Sequence, residues 1–168
     1  EKMIRESAME FNCSPENVFH IEKSETYLGL KNVKTVEFLL MRKEGTVWFI
    51  EAKTTAPNPE SSDGTPFNKF VNEIYRKMEN SFLLFHALRI GRHENGLSEM
   101  PEQFSSLDLK NADYKFVLVI KTHKKEWLNS LQDKFRQTFY AVGKTWNIKM
   151  PMFIAMNEEI ARKHSLVK

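Results

Sequence analysis

Three charged residues in two neighbouring predicted strands have the types and spacing needed for cation-dependent chemistry: Glu37, Glu51 and Lys53. Residues two apart in a strand point to the same face, so Glu51 and Lys53 project together while the apolar residues beside them face the other way. A carboxylate and an ammonium group in an otherwise apolar strand are costly to bury unless they are paired or bound to something. The alternative interpretation is an ordinary ion pair at the edge of a sheet.

Glu37 lies in the other arm of the same predicted hairpin, between Val36 and Phe38. It comes close to Glu51 if the strand register permits, and two neighbouring carboxylates repel each other unless a cation lies between them. A hard divalent cation with oxygen ligands suits such a pair, and Lys53 could then orient a water molecule or stabilise a phosphate transition state. The alternative is that Glu37 faces solvent from a half-exposed strand.

The segments around these residues predict a helix followed by an antiparallel meander. Residues 2–11 place their apolar side chains at helical spacing and predict a short helix. Strand signals follow over 18–21, which could extend towards Leu30, and over 34–41 and 46–53. The four residues that link the last two strands contain a glycine, which suits a hairpin.

The second half of the chain alternates helix and strand signals. A polar loop over 54–64 precedes a helix that starts at Thr65 and Pro66 and runs to about Leu88, and residues 90–113 show no clear period. Further segments predict a strand at 116–120, a helix at 124–142, a strand at 150–156, and a last helix capped by Asn157. We therefore expect an α/β fold in a single domain over 1–168: a mixed central sheet that begins with an antiparallel three-strand meander and is flanked by helices.

The charged residues and the order of these elements resemble a known superfamily. An acidic residue on one strand, a short hairpin, and the tripeptide Glu51-Ala52-Lys53 on the next strand are similar to the PD-(D/E)xK nucleases, which have the restriction-endonuclease-like fold. The resemblance covers about residues 2–121. It implies that Glu37 and Glu51 bind Mg²⁺ or Mn²⁺ and that Lys53 assists the water that hydrolyses a phosphodiester bond by in-line attack with inversion.

The resemblance also implies a third carboxylate ligand, because a glutamate of the leading helix often completes the site in this family. Glu6 and Glu10 are the candidates in this chain. Glu10 lies nearer the apolar face of the predicted helix, so we expect Glu10 to be the ligand.

The chain departs from the family pattern at Glu37, where the family usually has Asp. This departure supports a second hypothesis, in which the same fold carries a degenerate site and acts as a non-catalytic module that binds nucleic acid or a protein. A third interpretation is a small α/β protein in which the Glu-x-Lys spacing arises by chance. The leading hypothesis remains a divalent-metal-dependent endonuclease or exonuclease.

The charge of the chain is unevenly distributed. Its 25 Lys and Arg against 22 Asp and Glu give a net charge of +3, but residues 113–168 hold 11 basic and 5 acidic residues, a net of +6. We expect a nucleic-acid partner, DNA rather than RNA, contacted by basic residues of the long helix and of this segment: Lys69, Lys121, Lys124 and Lys125. The alternative is a solvated surface, as for the outward-facing Lys69 and Lys77 of the long helix.

Composition excludes several other classes of protein. The apolar fraction of 41% excludes wholesale disorder, and the single Cys13 excludes a disulfide framework. No apolar run reaches the length of a membrane span, so we expect a cytoplasmic protein that does not enter a membrane. Members of the nuclease superfamily often act as dimers, which makes a homodimer the assembly that the resemblance implies, although no patch identifies its interface.

Overall fold

A five-stranded mixed sheet forms the centre of the fold, which we describe from a computed structural model covering residues 3–168. The strands are β1 (Ile4–Glu6), β2 (Met9–Phe11), β3 (Val18–Phe19), β4 (Phe38–Lys43), β5 (Thr46–Lys53), β6 (Asp113–Ile120) and β7 (Phe153–Asn157). The helices are α1 (Glu25–Gly29), α2 (Thr65–Arg89), α3 (Glu102–Ser105), α4 (Leu128–Thr145) and α5 (Glu158–Lys163).

The strand order of the sheet is β3-β4-β5-β6-β7. The pairs β3–β4 and β4–β5 are antiparallel, whereas β5–β6 and β6–β7 are parallel. A parallel neighbour requires a crossover connection, and α2 and α4 supply the two crossovers in this chain. The mixed sheet, its antiparallel beginning and its flanking helices are therefore confirmed as the sequence predicts them.

The sheet has an apolar core on each of its two faces. Alternate residues of β5 divide between these cores, so Val47 and Phe49 pack with the helices α2 and α4, while Ile50 and Ala52 pack with the β1–β2 hairpin and α5. The inner strand β6 is buried over its last five residues, because it has a layer on both sides. No helix among residues 3–168 combines the length and the hydropathy that crossing a membrane requires.

The predicted helix over residues 2–11 is wrong, and Lys2, its first residue, lies outside the described residues. The segment forms the antiparallel hairpin β1–β2, closed by the two-residue turn Ser7–Ala8. Both turn residues have positive φ, 48° and 59°, as a tight hairpin turn of this kind requires. Neither residue is Gly, Asn or Asp, so the sequence carries no turn signal here and the apolar spacing fits a helix equally well.

Several predicted boundaries also move. The first strand stops at Phe19 and is followed by a 3₁₀ turn and α1, so it does not continue towards Leu30. The second strand begins at Phe38 rather than at residue 34, which places Glu37 just outside it. Residues 150–152 form a 3₁₀ turn around Pro151 before β7, and a similar turn over 125–127 precedes α4. Asn157 caps α5 as expected, because its side chain accepts a hydrogen bond from the amide of Ile160.

Candidate functional site

Glu51 and Lys53 lie at the carboxyl end of β5, next to the carboxyl end of its parallel neighbour β6. On the other side of β5, Phe38 of β4 pairs with Ile50. Continuing this antiparallel register by one residue places Glu37 opposite Glu51. The structure thus brings the three predicted residues to one edge of the sheet, where crevices beside the ends of parallel strands are common binding sites.

Glu51 is the buried centre of this group, with none of its surface exposed. Its Oε1 atom accepts hydrogen bonds from Lys53 Nζ at 2.8 Å and from Lys77 Nζ at 2.6 Å. Its other oxygen, Oε2, is enclosed and has no hydrogen-bond partner within residues 3–168. An ionised oxygen that is shielded from water and left unpaired is costly, so this atom can accept a further donor or a cation.

Lys77 enters the site from α2, although the sequence analysis places it on an outward-facing surface of that helix. Its side chain is only 19% exposed, and Nζ lies 4.0 Å from Oε1 of Glu37 as well as 2.6 Å from Glu51. The prediction that Lys77 faces outward is therefore wrong. One turn further along α2, the buried Ser81 accepts a hydrogen bond from the amide of Val36 at 2.8 Å. This bond ties the segment that carries Glu37 to the helix that carries Lys77.

Lys53 has a raised pKa. Burial alone would lower the pKa of its ammonium group, but the hydrogen bond and negative charge of Glu51, together with the charge of Glu37, outweigh burial. Lys53 therefore stays protonated at neutral pH. In this state it can donate hydrogen bonds to a water molecule or a phosphate oxygen, but it cannot act as a general base.

Two further carboxylates gather beside Glu37. Among the residues that the structure describes, Glu6, Glu22 and Glu37 form a group whose oxygen atoms all lie within 4.8 Å of one another. The pKa of Glu22 is raised to about 7. Burial is the largest cause, and the charges of Glu37 and Glu6 and a hydrogen bond with Glu37 add to it, whereas the charge of Lys23 lowers the pKa. The closeness of Glu37 and Glu6 thus favours the protonated form of Glu22.

Glu10, the predicted third ligand, is not in this group. In the β1–β2 hairpin Glu10 pairs with Arg5, and its carboxylate makes an ion pair of 2.5 Å with that residue. Glu6 instead lies opposite the buried Met9, on the side of the hairpin that faces the protein. A helical wheel favours Glu10, but the two-residue period of a strand brings Glu6 to the carboxylate group.

A basic groove adjoins the buried carboxylate. The cavity has a volume of about 800 Å³ and runs along the first three turns of α2. Its charged lining consists of five cations and one carboxylate: Lys34, Lys53, Lys69, Arg76, Lys77 and Glu73. Two amide side chains, Asn68 and Asn72, add hydrogen-bonding groups. Such a lining suits an anionic ligand with several phosphate groups.

The other predicted contact residues lie near the carboxyl end of β6. The amide of Lys121 donates to the carbonyl of Lys53, and its Nζ donates to the carbonyl of Ala8 at 2.9 Å. Lys124 lies over the ring of Trp127 at 4.7 Å, and Lys125 follows it at the start of a 3₁₀ turn. Of the four predicted contact lysines, Lys69 alone lines the groove.

Comparison with family models, with curated proteins and with solved structures finds no match for this chain. The site must therefore be interpreted from its own residues.

The donor set fits a hard divalent cation. Its candidate ligands are all carboxylates, the oxygen type that Mg²⁺ and Mn²⁺ prefer, and the enclosed Oε2 of Glu51 lacks a partner within residues 3–168. Glu37 offers an oxygen on the same edge, with Lys77 as its nearest ion-pair partner at 4.0 Å. Glu6, a candidate in the sequence analysis, and Glu22, which that analysis did not name, gather around Glu37 in a group that does not include Glu51.

Proposed function

We propose that this protein is a divalent-metal-dependent nuclease that hydrolyses phosphodiester bonds of nucleic acid. One observation carries the proposal: the fully buried Glu51 has one oxygen without a partner in the described part of the chain and lies beside a protonated lysine at a basic groove. A buried acid that is kept with an unsatisfied oxygen is more characteristic of a functional site than of a stabilising ion pair.

In this proposal Glu51 and Glu37 would hold Mg²⁺ or Mn²⁺, and Glu6 and Glu22 would add carboxylates around Glu37, with which they form a group that does not include Glu51. The bound cation supplies positive charge to the phosphate and makes a water molecule more acidic. Lys53 orients the attacking water or donates to a phosphate oxygen, because its raised pKa keeps the ammonium group charged. Glu10 has no role in this scheme, since its carboxylate is paired with Arg5.

The proposal includes the restriction-endonuclease-like fold. Support comes from the order of elements after residue 17: an antiparallel meander β3-β4-β5, the crossover helix α2, and a parallel strand β6. The acidic residue before β4 and the Glu51-Ala52-Lys53 tripeptide at the end of β5 occupy neighbouring positions in that arrangement. The leading helix of the resemblance is replaced by the β1–β2 hairpin.

Nucleic acid suits the groove better than a small anion does. Cations are spread along the start of α2 rather than focused on one point, with Lys69 and Arg76 separated by about two helical turns. A polyanion can contact such a row at several phosphates. We propose DNA as the substrate and a homodimer as the assembly.

The test is cleavage of end-labelled DNA and RNA, single-stranded and duplex, in the presence of Mn²⁺ or Mg²⁺. We expect Glu51→Gln and Lys53→Met to lower the cleavage rate at least about a hundredfold, because each removes a group placed at the developing charge. Glu60→Gln and Lys43→Met are matched controls, since both residues are exposed and lie outside the site. Equal cleavage by all five chains would contradict the assignment of the site.

One observation favours a second candidate function, a non-catalytic nucleic-acid-binding module. The ammonium group of Lys77 already contacts Glu51 and approaches Glu37, so the carboxylates have a counter-ion without any metal. Binding of DNA in EDTA, with no cleavage and no heat of Mn²⁺ binding to the natural chain, would favour the module over the nuclease.

A further inference from the structure

Lys77 is the closest cationic partner of the buried carboxylate. Its Nζ atom is nearer to Glu51 Oε1 than the Nζ of Lys53 is, at 2.6 Å against 2.8 Å. Its side chain is also less exposed, at 19% against 33%. Lys77 Nζ also lies 4.0 Å from Glu37 Oε1. Among the described residues, Lys53 forms an ion pair with Glu51 and with no other carboxylate. A cation that bridges Oε1 of Glu51 and Oε1 of Glu37 would need the position that the Lys77 ammonium group holds.

We propose that Lys77 is the resident counter-ion of this site and competes with the divalent cation for Glu51. The inference rests on the proposed function, since it concerns the cation that the nuclease would use. It assigns to α2 a counter-ion that the resemblance to a nuclease family does not supply. The affinity of the site for its metal would then depend on how strongly Lys77 binds Glu51.

The physical argument starts from the cost of an uncompensated buried charge. Without a metal, the fully buried Glu51 is stabilised by an ammonium group on Oε1. A divalent cation within about 4 Å of that ammonium group would be strongly repelled by it. Lys77 must therefore withdraw when the metal binds, and the groove that its own side chain lines provides a polar region into which it can move.

Lys53 is expected to stay in place during this exchange. It contacts the same oxygen of Glu51, but among the described residues it forms no ion pair with Glu37, so it lies outside the position between the two carboxylates that a bridging cation would take. The two lysines thus have different tasks: Lys77 neutralises the carboxylates before the metal arrives, and Lys53 remains for the reaction.

Calorimetric titration with Mn²⁺ tests the competition on the full chain. We expect Lys77→Met to bind Mn²⁺ about ten- to a hundredfold more tightly than the natural chain, because a hydrogen bond to a charged group no longer has to be broken. Lys69→Met is the matched control. It lies about two turns earlier on the same helix, lines the same groove, and makes no ion pair with the site among the described residues.

The control separates a local exchange from a general loss of positive charge, which affects both variants alike. If the natural chain binds Mn²⁺ and Lys77→Met binds it no more tightly than Lys69→Met, the inference is overturned while the proposed function stands. If Lys77→Met binds Mn²⁺ and the natural chain does not, the inference is supported and the nuclease proposal is contradicted. Absence of Mn²⁺ binding to all three chains overturns both the metal site and the competition.

A second measurement observes Lys77 in the natural chain and uses a charge-conserving variant only to assign its signal. In a protein with ¹⁵N-labelled lysine, the ammonium signal of Lys77, identified by its loss in Lys77→Arg, reports the ion pair with Glu51. Saturation with Mg²⁺ is expected to shift or remove this signal. A Lys77 signal that stays unchanged while Mg²⁺ binds would show that Lys77 keeps its ion pair with Glu51, which overturns the proposal.

Discussion

At the scale of single residues, the site is dominated by conflicts between charges that the fold forces together. Glu51 has one satisfied and one unsatisfied oxygen in a fully buried position within the described chain. Glu22 is held beside Glu37 and Glu6, so a proton relieves part of the repulsion. Such conflicts cost stability and persist in proteins mainly where they serve a function.

Replacing Glu22 by Gln is expected to stabilise the metal-free protein at high pH. The pKa of Glu22 is raised to about 7 from an ordinary value of 4.5. A raised carboxyl pKa favours folding fully below pH 4.5, and this contribution is lost as the pH rises through 7. We therefore expect Glu22→Gln to gain about 1 kcal/mol at pH 8, after allowance for the partial exposure of the group, and little at pH 4.5.

The measurement is urea unfolding in EDTA at the two pH values, with Glu60→Gln as the control for loss of an exposed carboxylate. A gain of similar size at both pH values would contradict the raised pKa, since it would then come from something other than ionisation.

At the scale of elements, the strands and helices with strong periodicity could be predicted from the sequence, and the hairpin β1–β2 could not. The long helix α2 has Pro66 in its first turn, and the turn of the hairpin β4–β5 contains Gly45 with a positive φ. In residues 4–11 the apolar side chains fit both a helix and two short strands, and the turn has no glycine. The choice is made by tertiary pairing: the strand β2 contacts the chain terminus through Phe11 and Val167.

The same limit explains which site residues were missed. Glu37, Glu51 and Lys53 are linked by one hairpin, so local spacing brings them together. Lys77 reaches Glu51 across 26 residues, and only the packing of α2 on the sheet decides that contact. A signal was available, because Lys77 lies one helical turn from the buried positions Ile74 and Ser81 and thus on the flank of the apolar face.

The turn of the β1–β2 hairpin offers a test of this account. Ala8 is exposed and has a φ of 59°, a left-handed conformation that costs a residue with a Cβ atom about 1–2 kcal/mol. Ala8→Gly removes that cost and adds some entropy to the unfolded chain, so we expect a net stabilisation of about 0.5–1 kcal/mol.

The measurement is the free energy of unfolding in urea. The control is Ala141→Gly, because Ala141 is an exposed residue of the helix α4 and its replacement should lower that free energy by about 1 kcal/mol. A loss of stability in both variants would argue against the positive φ at Ala8 and hence against the hairpin in solution.

At the scale of the whole molecule, the two ends of the sheet differ in charge and in the ligands that they can hold. The end at which β5 and β6 terminate combines the carboxylates with the basic groove and with Lys121. The opposite end carries the β4–β5 turn, where the exposed Lys43 pairs with Thr46. Thr46 and Lys53 are the two ends of β5, about 23 Å apart. A polyanion that binds in the basic groove should therefore be insensitive to charges at the opposite end of the sheet.

The salt dependence of DNA binding tests this division. Each lysine that contacts a phosphate releases about one counter-ion from the DNA. Its loss therefore makes the negative slope of log K for DNA binding against log salt shallower by about one. We expect Lys69→Gln, which alters the groove, to reduce the slope by about one and Lys43→Gln to leave it unchanged. The measurement is fluorescence anisotropy with labelled duplex DNA in EDTA, which prevents cleavage, over a range of KCl concentrations. Because the two variants remove the same charge from exposed lysines, equal slopes would mean that DNA binds without using the groove.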